Sequence, residues 1–298
     1  MGHGLCSRQG GHGSARAAGG TAGGTMKKRP VFIVSDRTGI TAETLGHSLL
    51  TQFPGIRFDT TILPFVDSEE KIFAAVLQID KAAEEHGVRP LVFTTFANPA
   101  FNARLYAANG VFFDLFDTFL DRLEKELGQA SAHSAGMSHG IRDHDSYTAR
   151  IAAVNFSVHC DDGLHPEAYD RAELILMGVS RSGKTPTSLY LAMHFGLFCA
   201  NYPLTEENLA AGAMPKVLLP HRERIFGLTI DPIRLQVIRQ ERRSRGGYAD
   251  LKQCRFEVRQ AEAVFHDGKV PYVDTSTASI EEIATTIIDR KRLRRGYR

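Results

Sequence analysis

One run of eight residues constrains this chain more than any other. Gly178-Val-Ser-Arg-Ser-Gly-Lys-Thr185 fits the pattern G-x-x-x-x-G-K-[ST]. The pattern works only where a buried strand enters it and a helix leaves it. Both are legible: Glu173–Met177 is an apolar strand-like run, and Lys184–Phe195 is helix-forming, with Pro186 and Thr187 suited to a first helical turn. Between them, Gly178 and Gly183 let the main chain curl until its N–H groups converge, and the helix adds its positive pole. In that reading the main chain of Gly178, Val179, Ser180, Arg181, Ser182 and Gly183 cradles phosphate, and Lys184 brings an ammonium to the group being moved. The Arg181 side chain is a second cation, and the Thr185 hydroxyl is placed to ligate Mg²⁺. The plain alternative is a glycine-rich strand-to-helix turn with an exposed lysine.

A transfer site also needs a carboxylate at a strand end, to hold magnesium or take a hydroxyl proton. Asp231 follows the apolar Ile225–Ile230 and precedes Pro232, so it serves either that role or a helix N-cap. His159-Cys-Asp161-Asp162-Gly163 offers paired carboxylates just before the loop's strand, or an acidic turn. Arg239, Arg242, Arg243 and Arg245 form a dense group that reads as a phosphate-binding cluster or as a solvated helix face. Ser35-Asp36-Arg37-Thr38-Gly39 follows a strand and reads as a second anion nest or a simple turn. The basic run Arg290–Arg295 reads mainly as a solvated helix end.

Strands alternate with helices along the chain, which predicts α/β architecture: an N-terminal α/β domain, then a phosphate-loop (Walker A) α/β kinase-like domain with a mainly parallel sheet. Strands are expected at Pro30–Ser35, Thr60–Phe65, Pro90–Thr95, Glu173–Met177, Leu197–Tyr202, Ile225–Ile230 and Val270–Val273. Helices are expected at Thr41–Gln52, Ser68–His86, Asp114–Leu127, Lys184–Phe195, Pro232–Arg243 and Tyr248–His266. A last helix opens at the capping box Ser279-Ile-Glu-Glu282. In the Asp114–Leu127 helix, Phe116, Phe119, Leu120 and Leu123 share one face. Residues 1–25 hold nine glycines and no acidic residue and are expected to be a disordered leader, with Met26 as the preferred start. Residues 26–127 make the first domain, 128–147 a linker without apolar periodicity, and 148–298 the catalytic domain. No internal repeat is visible.

Composition narrows the function classes. With 43% hydrophobic and 23% charged residues over 298 positions, the chain is globular. Its apolar runs are too short to span a bilayer. The net charge of +2 equals the leader's two arginines, Arg8 and Arg16, so the balanced remainder gives no nucleic-acid surface. Cys6, Cys160, Cys199 and Cys254 show no metal-binding spacing, which favours a reducing cytoplasm.

Four stretches together carry a resemblance. They are Gly178–Thr185 continuing as Pro-Thr-Ser-Leu-Tyr-Leu-Ala192, Phe226–Pro232 with Arg234, Ile238, Arg239, Glu241 and Arg242, Ser35-Asp36 with Thr38 and Thr41-Ala-Glu43, and Ser279–Ala284. Over about Arg29 to Leu293 the chain resembles the bifunctional regulatory proteins of phosphoenolpyruvate synthase and of pyruvate, phosphate dikinase. One departure is that Cys160 stands between His159 and Asp161, where the family reads His-Asp-Asp-Gly. The resemblance implies phosphorylation of a target threonine with ADP, inactivating the target, and removal of that phosphate by inorganic phosphate, yielding pyrophosphate. It implies ADP with Mg²⁺ at Gly178–Thr185, with phosphoenolpyruvate synthase as the preferred partner and pyruvate, phosphate dikinase as the other. Assembly as a homodimer stays open. A small-molecule phosphate-loop kinase and a non-catalytic nucleotide switch are the rival readings. The ordinary protein-kinase signatures are absent from the sequence.

Overall fold

The computed structural model describes residues 28–133, 144–242 and 247–293. The leader and its start site, the middle of the expected linker, Arg243, Arg245, Arg294 and Arg295 lie outside the described residues. The chain divides into two compact units, Met1–His139 and Gly140–Arg298.

The first unit runs β1 (Lys28–Val34), α1 (Ile40–Leu50), β2 (Arg57–Leu63), α2 (Glu69–His86), β3 (Leu91–Thr94), α3 (Pro99–Leu105), β4 (Val111–Asp114) and α4 (Asp117–Leu127). Its strands form one parallel sheet in the order β2-β1-β3-β4. The central β1 is buried from Val31 to Val34, as a strand covered on both faces must be. Ile72, Ala75 and Ile79 of α2 pack against Phe32, Val34 and Val92.

The second unit runs α5 (His144–His159), β5 (Leu174–Gly178), α6 (Lys184–Phe195), β6 (Cys199–Pro203), α7 (Glu206–Ala211), β7 (Ile225–Thr229), α8 (Pro232–Arg242), α9 (Leu251–Asp267), β8 (Tyr272–Asp274) and α10 (Ile280–Lys291). Its sheet is also parallel, in the order β6-β5-β7-β8. The two-residue alternation of β5 sorts its side chains between two cores. Leu174 and Leu176 meet Leu191, Ile283 and Ile287, while Ile175 and Met177 join the core that holds Phe156, Leu235 and Phe265. Ser279 and Glu282 form the reciprocal capping box expected at the start of α10.

The structure adds the short helices α3 and α7, which the sequence reading did not expect, and departs from that reading at β4, α4 and α5. The helix expected from Asp114 starts at Asp117, because Val111–Asp114 pairs with β3 and the Asp114 carboxylate accepts the N–H groups of Phe116 and Asp117. Phe119 and Leu123 of α4 are exposed and Phe116 and Leu120 half-buried, so among the described residues that face covers no core. Helix α5 begins inside the expected linker, and its buried Ala153, Phe156 and Ser157, with Cys160 just past its end, show the helical spacing that polar neighbours obscured. Among the described residues, no helix is long and apolar enough to cross a membrane.

Candidate functional site

Strand β5 delivers the chain to the glycine loop at the carboxyl edge of the second sheet. Gly178 is required there by close approach: a Cβ would collide with the Leu228 carbonyl oxygen and lie 2.8 Å from Ser182 Oγ. The loop then turns through left-handed backbone at Arg181 (φ 74°) and Gly183 (φ 89°). Arg181 bears on the order of 1 kcal/mol of strain for that conformation. Gly183 is the N-cap of α6 and offers no side-chain cap, which leaves first-turn amides without a side-chain acceptor. Thr275 Oγ1 holds the loop from outside by donating to the carbonyls of Ser182 (3.2 Å) and Thr229 (3.0 Å).

Lys184 is buried, 5% exposed, and its Nζ donates to the Val179 carbonyl at 2.8 Å. The ammonium is thus folded over its own loop. Burial lowers its pKa to about 8, against the opposing pull of Asp162 and Asp161. Thr185 Oγ1 donates to Asp161 Oδ1 at 2.8 Å. Asn201, wholly buried on β6, donates from Nδ2 to the same Asp161 oxygen and accepts the Asp162 N–H at 2.9 Å. A loop hydroxyl and a carboxylate therefore stand side by side at the start of α6, two oxygens of the kind Mg²⁺ takes alongside phosphate.

The second flank of the loop is held by Arg239. Its guanidinium, fully buried, forms a two-point pair with Glu257 at 2.5 and 3.2 Å. It also donates to the carbonyls of Ser180 (3.2 Å) and Tyr248 (3.0 Å), and lies 4.2 Å from the centroid of the Tyr248 ring. The Tyr248 hydroxyl meets Ser180 Oγ at 2.8 Å.

The structure thus sorts the sequence candidates. Gly178–Thr185 forms the expected strand–loop–helix turn, and Lys184 is buried where the plain alternative required exposure. Asp161 is the carboxylate brought to Thr185. Asp231 is exposed and caps α8, accepting the N–H groups of Ile233 and Arg234, each at 2.9 Å. Arg239 fits neither of its expectations: it is no solvated helix residue and no free cation, because Glu257 neutralises it inside the core. His159 stacks on His165, with ring centroids 3.8 Å apart, and His165 pairs with Glu167. In the first unit, Ser35 accepts from Arg37 N–H and the Thr95 hydroxyl, and Asp36 accepts from Ala97 N–H. Arg290 and Lys291 donate to main-chain carbonyls of Tyr272 and Glu223, in keeping with a helix end. Sequence reasoning missed Asn201, Tyr248 and Glu257. Only Asn201 left a signal, as an amide inside an otherwise strand-like run.

Fold and site together define a two-sheet α/β protein whose second sheet carries a glycine loop, a buried lysine and a hydroxyl–carboxylate pair. A family model described as kinase/pyrophosphorylase matches residues 31–288, and the chain belongs to that family. It is 50% identical over 268 residues to a protein of Alcanivorax borkumensis named "Putative phosphoenolpyruvate synthase regulatory protein", covering 90% of this chain and 98% of the relative. Relatives with the same name occur in Alkalilimnicola ehrlichii (49% over 271 residues, 91% and 98% covered) and Halorhodospira halophila (52% over 268 residues, 90% and 98% covered).

Proposed function

We propose that the chain regulates phosphoenolpyruvate synthase by moving a phosphoryl group on and off a threonine of that enzyme at the β5–α6 loop. In the kinase direction the loop holds ADP, the threonine oxygen attacks the β-phosphorus, the β-phosphate leaves AMP, and the hydroxyl proton passes to solvent or a nearby carboxylate. In the opposite direction inorganic phosphate occupies the same cradle and attacks the phosphothreonine phosphorus. The P–O bond to threonine breaks, pyrophosphate forms, and threonine regains its proton. Both are in-line transfers that depend on positioning and charge neutralisation.

The observation that carries this reading is the buried Lys184 ammonium beside the Thr185–Asp161 pair at the start of α6. Lys184 and Arg181 neutralise the phosphates, and loop amides orient them. Thr185 and Asp161 would hold Mg²⁺, which would draw charge from the phosphate oxygens. Asp231 serves as the α8 cap. The family description and the relatives' names support the reaction class and the target.

The test is incubation with ADP labelled at the β-phosphate, Mg²⁺ and purified phosphoenolpyruvate synthase, followed by phosphosite mapping. Label on a threonine with AMP released is the expected result, and phosphate should then reverse it with pyrophosphate formed. Transfer from ATP to a metabolite, label on pyruvate, phosphate dikinase alone, or nucleotide binding without transfer would refute the assignment. Lys184→Ala should lose both activities; survival of the phosphate-dependent step alone would refute a shared site.

A further inference from the structure

A polar hollow of 560 Å³ lies beside the loop, lined by Glu206, Tyr248, Asp250, Lys252 and Gln253. Its size falls within the range of about 300–1,000 Å³ usual for ligand sites. It belongs to the carboxyl edge of the sheet: Glu206 opens α7 just after β6, whose last residue, Pro203, pairs with Gly178, and Leu204 N–H donates to the Gly178 carbonyl at 3.0 Å. That edge is where open parallel sheets bind their ligands.

Two walls of the hollow connect to one loop residue. Tyr248 reaches Ser180 Oγ through its hydroxyl. Gln253 donates to Glu257 at 3.1 Å, Glu257 grips Arg239, and Arg239 holds the Ser180 carbonyl. The Thr185–Asp161–Asn201 cluster occupies the other end of the loop. Resting on the proposed function, we infer that the hollow seats the hydroxyl-bearing segment of the protein substrate, a stretch of polypeptide carrying lysine or arginine next to the acceptor.

In-line transfer sets the incoming oxygen on the side of the phosphorus away from the leaving nucleotide. With the phosphates held by Lys184, Thr185 and the start of α6, the inference brings the acceptor in from the Ser180 side of the loop, where Tyr248 joins the loop to the hollow. The charge agrees. Among the described lining residues, two carboxylates, Glu206 and Asp250, stand with a single ammonium, Lys252, which opposes a polyphosphate and suits a cationic peptide. Among the described residues Glu206 and Lys252 have no ion-pair partner, so both charges are open to an incoming chain. The Tyr248 ring is backed by the buried guanidinium, which makes it a fixed wall.

The experiment compares wild type with Glu206→Lys, and with Glu206→Gln as the milder change, measuring steady-state kinetics on phosphoenolpyruvate synthase and ADP affinity by calorimetry. Charge reversal should raise KM for the protein substrate about tenfold in both directions, as a like-charge contact would, while ADP affinity and the circular dichroism melting curve stay at wild-type values. Glu206→Gln should give a smaller rise of the same kind, and it carries the test if the lysine variant fails to fold. An unchanged KM in the folded variants overturns the inference, and so does a loss of ADP affinity, which would assign the hollow to the nucleoside. Wild type that transfers nothing from ADP to phosphoenolpyruvate synthase removes the parent reading and this one together, an outcome distinct from any variant result.

Discussion

Replacing Glu257 with glutamine removes one member of the buried pair beneath the loop and leaves the other charged. Arg239 is 0% exposed and Glu257 7%, so the guanidinium in Glu257→Gln has no solvent to replace the lost carboxylate. It keeps the Ser180 and Tyr248 carbonyls, which are neutral acceptors. Breaking a buried pair from one side costs about 3–5 kcal/mol. For a unit of this size that lowers the melting temperature by on the order of 10 °C. Replacing both residues, as in Arg239→Met with Glu257→Leu, removes the stranded charge and should return stability to within about 1–2 kcal/mol of wild type. The double variant still lacks the donor that holds the Ser180 carbonyl. Hydrogen bonds from charged groups contribute about 1.5–3 kcal/mol, so ADP affinity should fall at least about tenfold although the protein is stable. Thermal denaturation followed by circular dichroism reads the first effect, and titration calorimetry reads the second. A Glu257→Gln melting curve within about 2 °C of wild type would refute the burial argument. A double variant that binds ADP like wild type would show that the loop keeps its shape without Arg239.

Three further outcomes follow from the same site. Lys184 titrates at about 8, and phosphate prefers its ammonium form, so ADP affinity should decline as pH rises through that value. Binding near that pH should also take up a proton; a calorimetric heat independent of the buffer's ionisation enthalpy would contradict this, and Lys184→Met should abolish the dependence. Gly178→Ala forces a methyl onto the Leu228 main-chain carbonyl, which cannot swing aside, and should cost about 3 kcal/mol, the upper end of overpacking costs. Gly183→Ala meets open space and should cost only the left-handed strain of about 1–2 kcal/mol, so melting curves that reverse this order would undo the close-approach argument. Asp161→Asn should raise the Mg²⁺ concentration needed for half-maximal transfer, whereas Asp231→Asn, which keeps a good helix cap, should leave it unchanged; the opposite pattern would move the metal site to Asp231.

What could be read from the chain alone was the part written in local pattern. Residues 173–195 declare strand, loop and helix through adjacent residues, and α6 spans the expected Lys184–Phe195. The partners of the loop are different in kind. Asp161 lies 24 positions from Thr185 and Tyr248 lies 68 from Ser180, and no periodicity links them. The crossover from β7 to β8 returns Tyr248 to the carboxyl edge of the sheet, while Asp161, which precedes the sheet's first strand, is held there by Asn201 on β6. The arginine group shows the limit most clearly. Charge in a helical run reads as surface by default, and only the return of α9 with Glu257 turns Arg239 into an interior residue that shapes the loop. The two sheets make the same point at larger scale. Both place their first strand second in the order and follow it with a turn whose left-handed glycine, Gly39 or Gly183, starts a helix without a side-chain cap. Only one of the two turns has a lysine after that glycine; the other has Ile40. Shared topology therefore supplies a helix start at the sheet edge in each unit, and the chemistry proposed for the second is added by Lys184, Thr185 and the residues that topology returns to them.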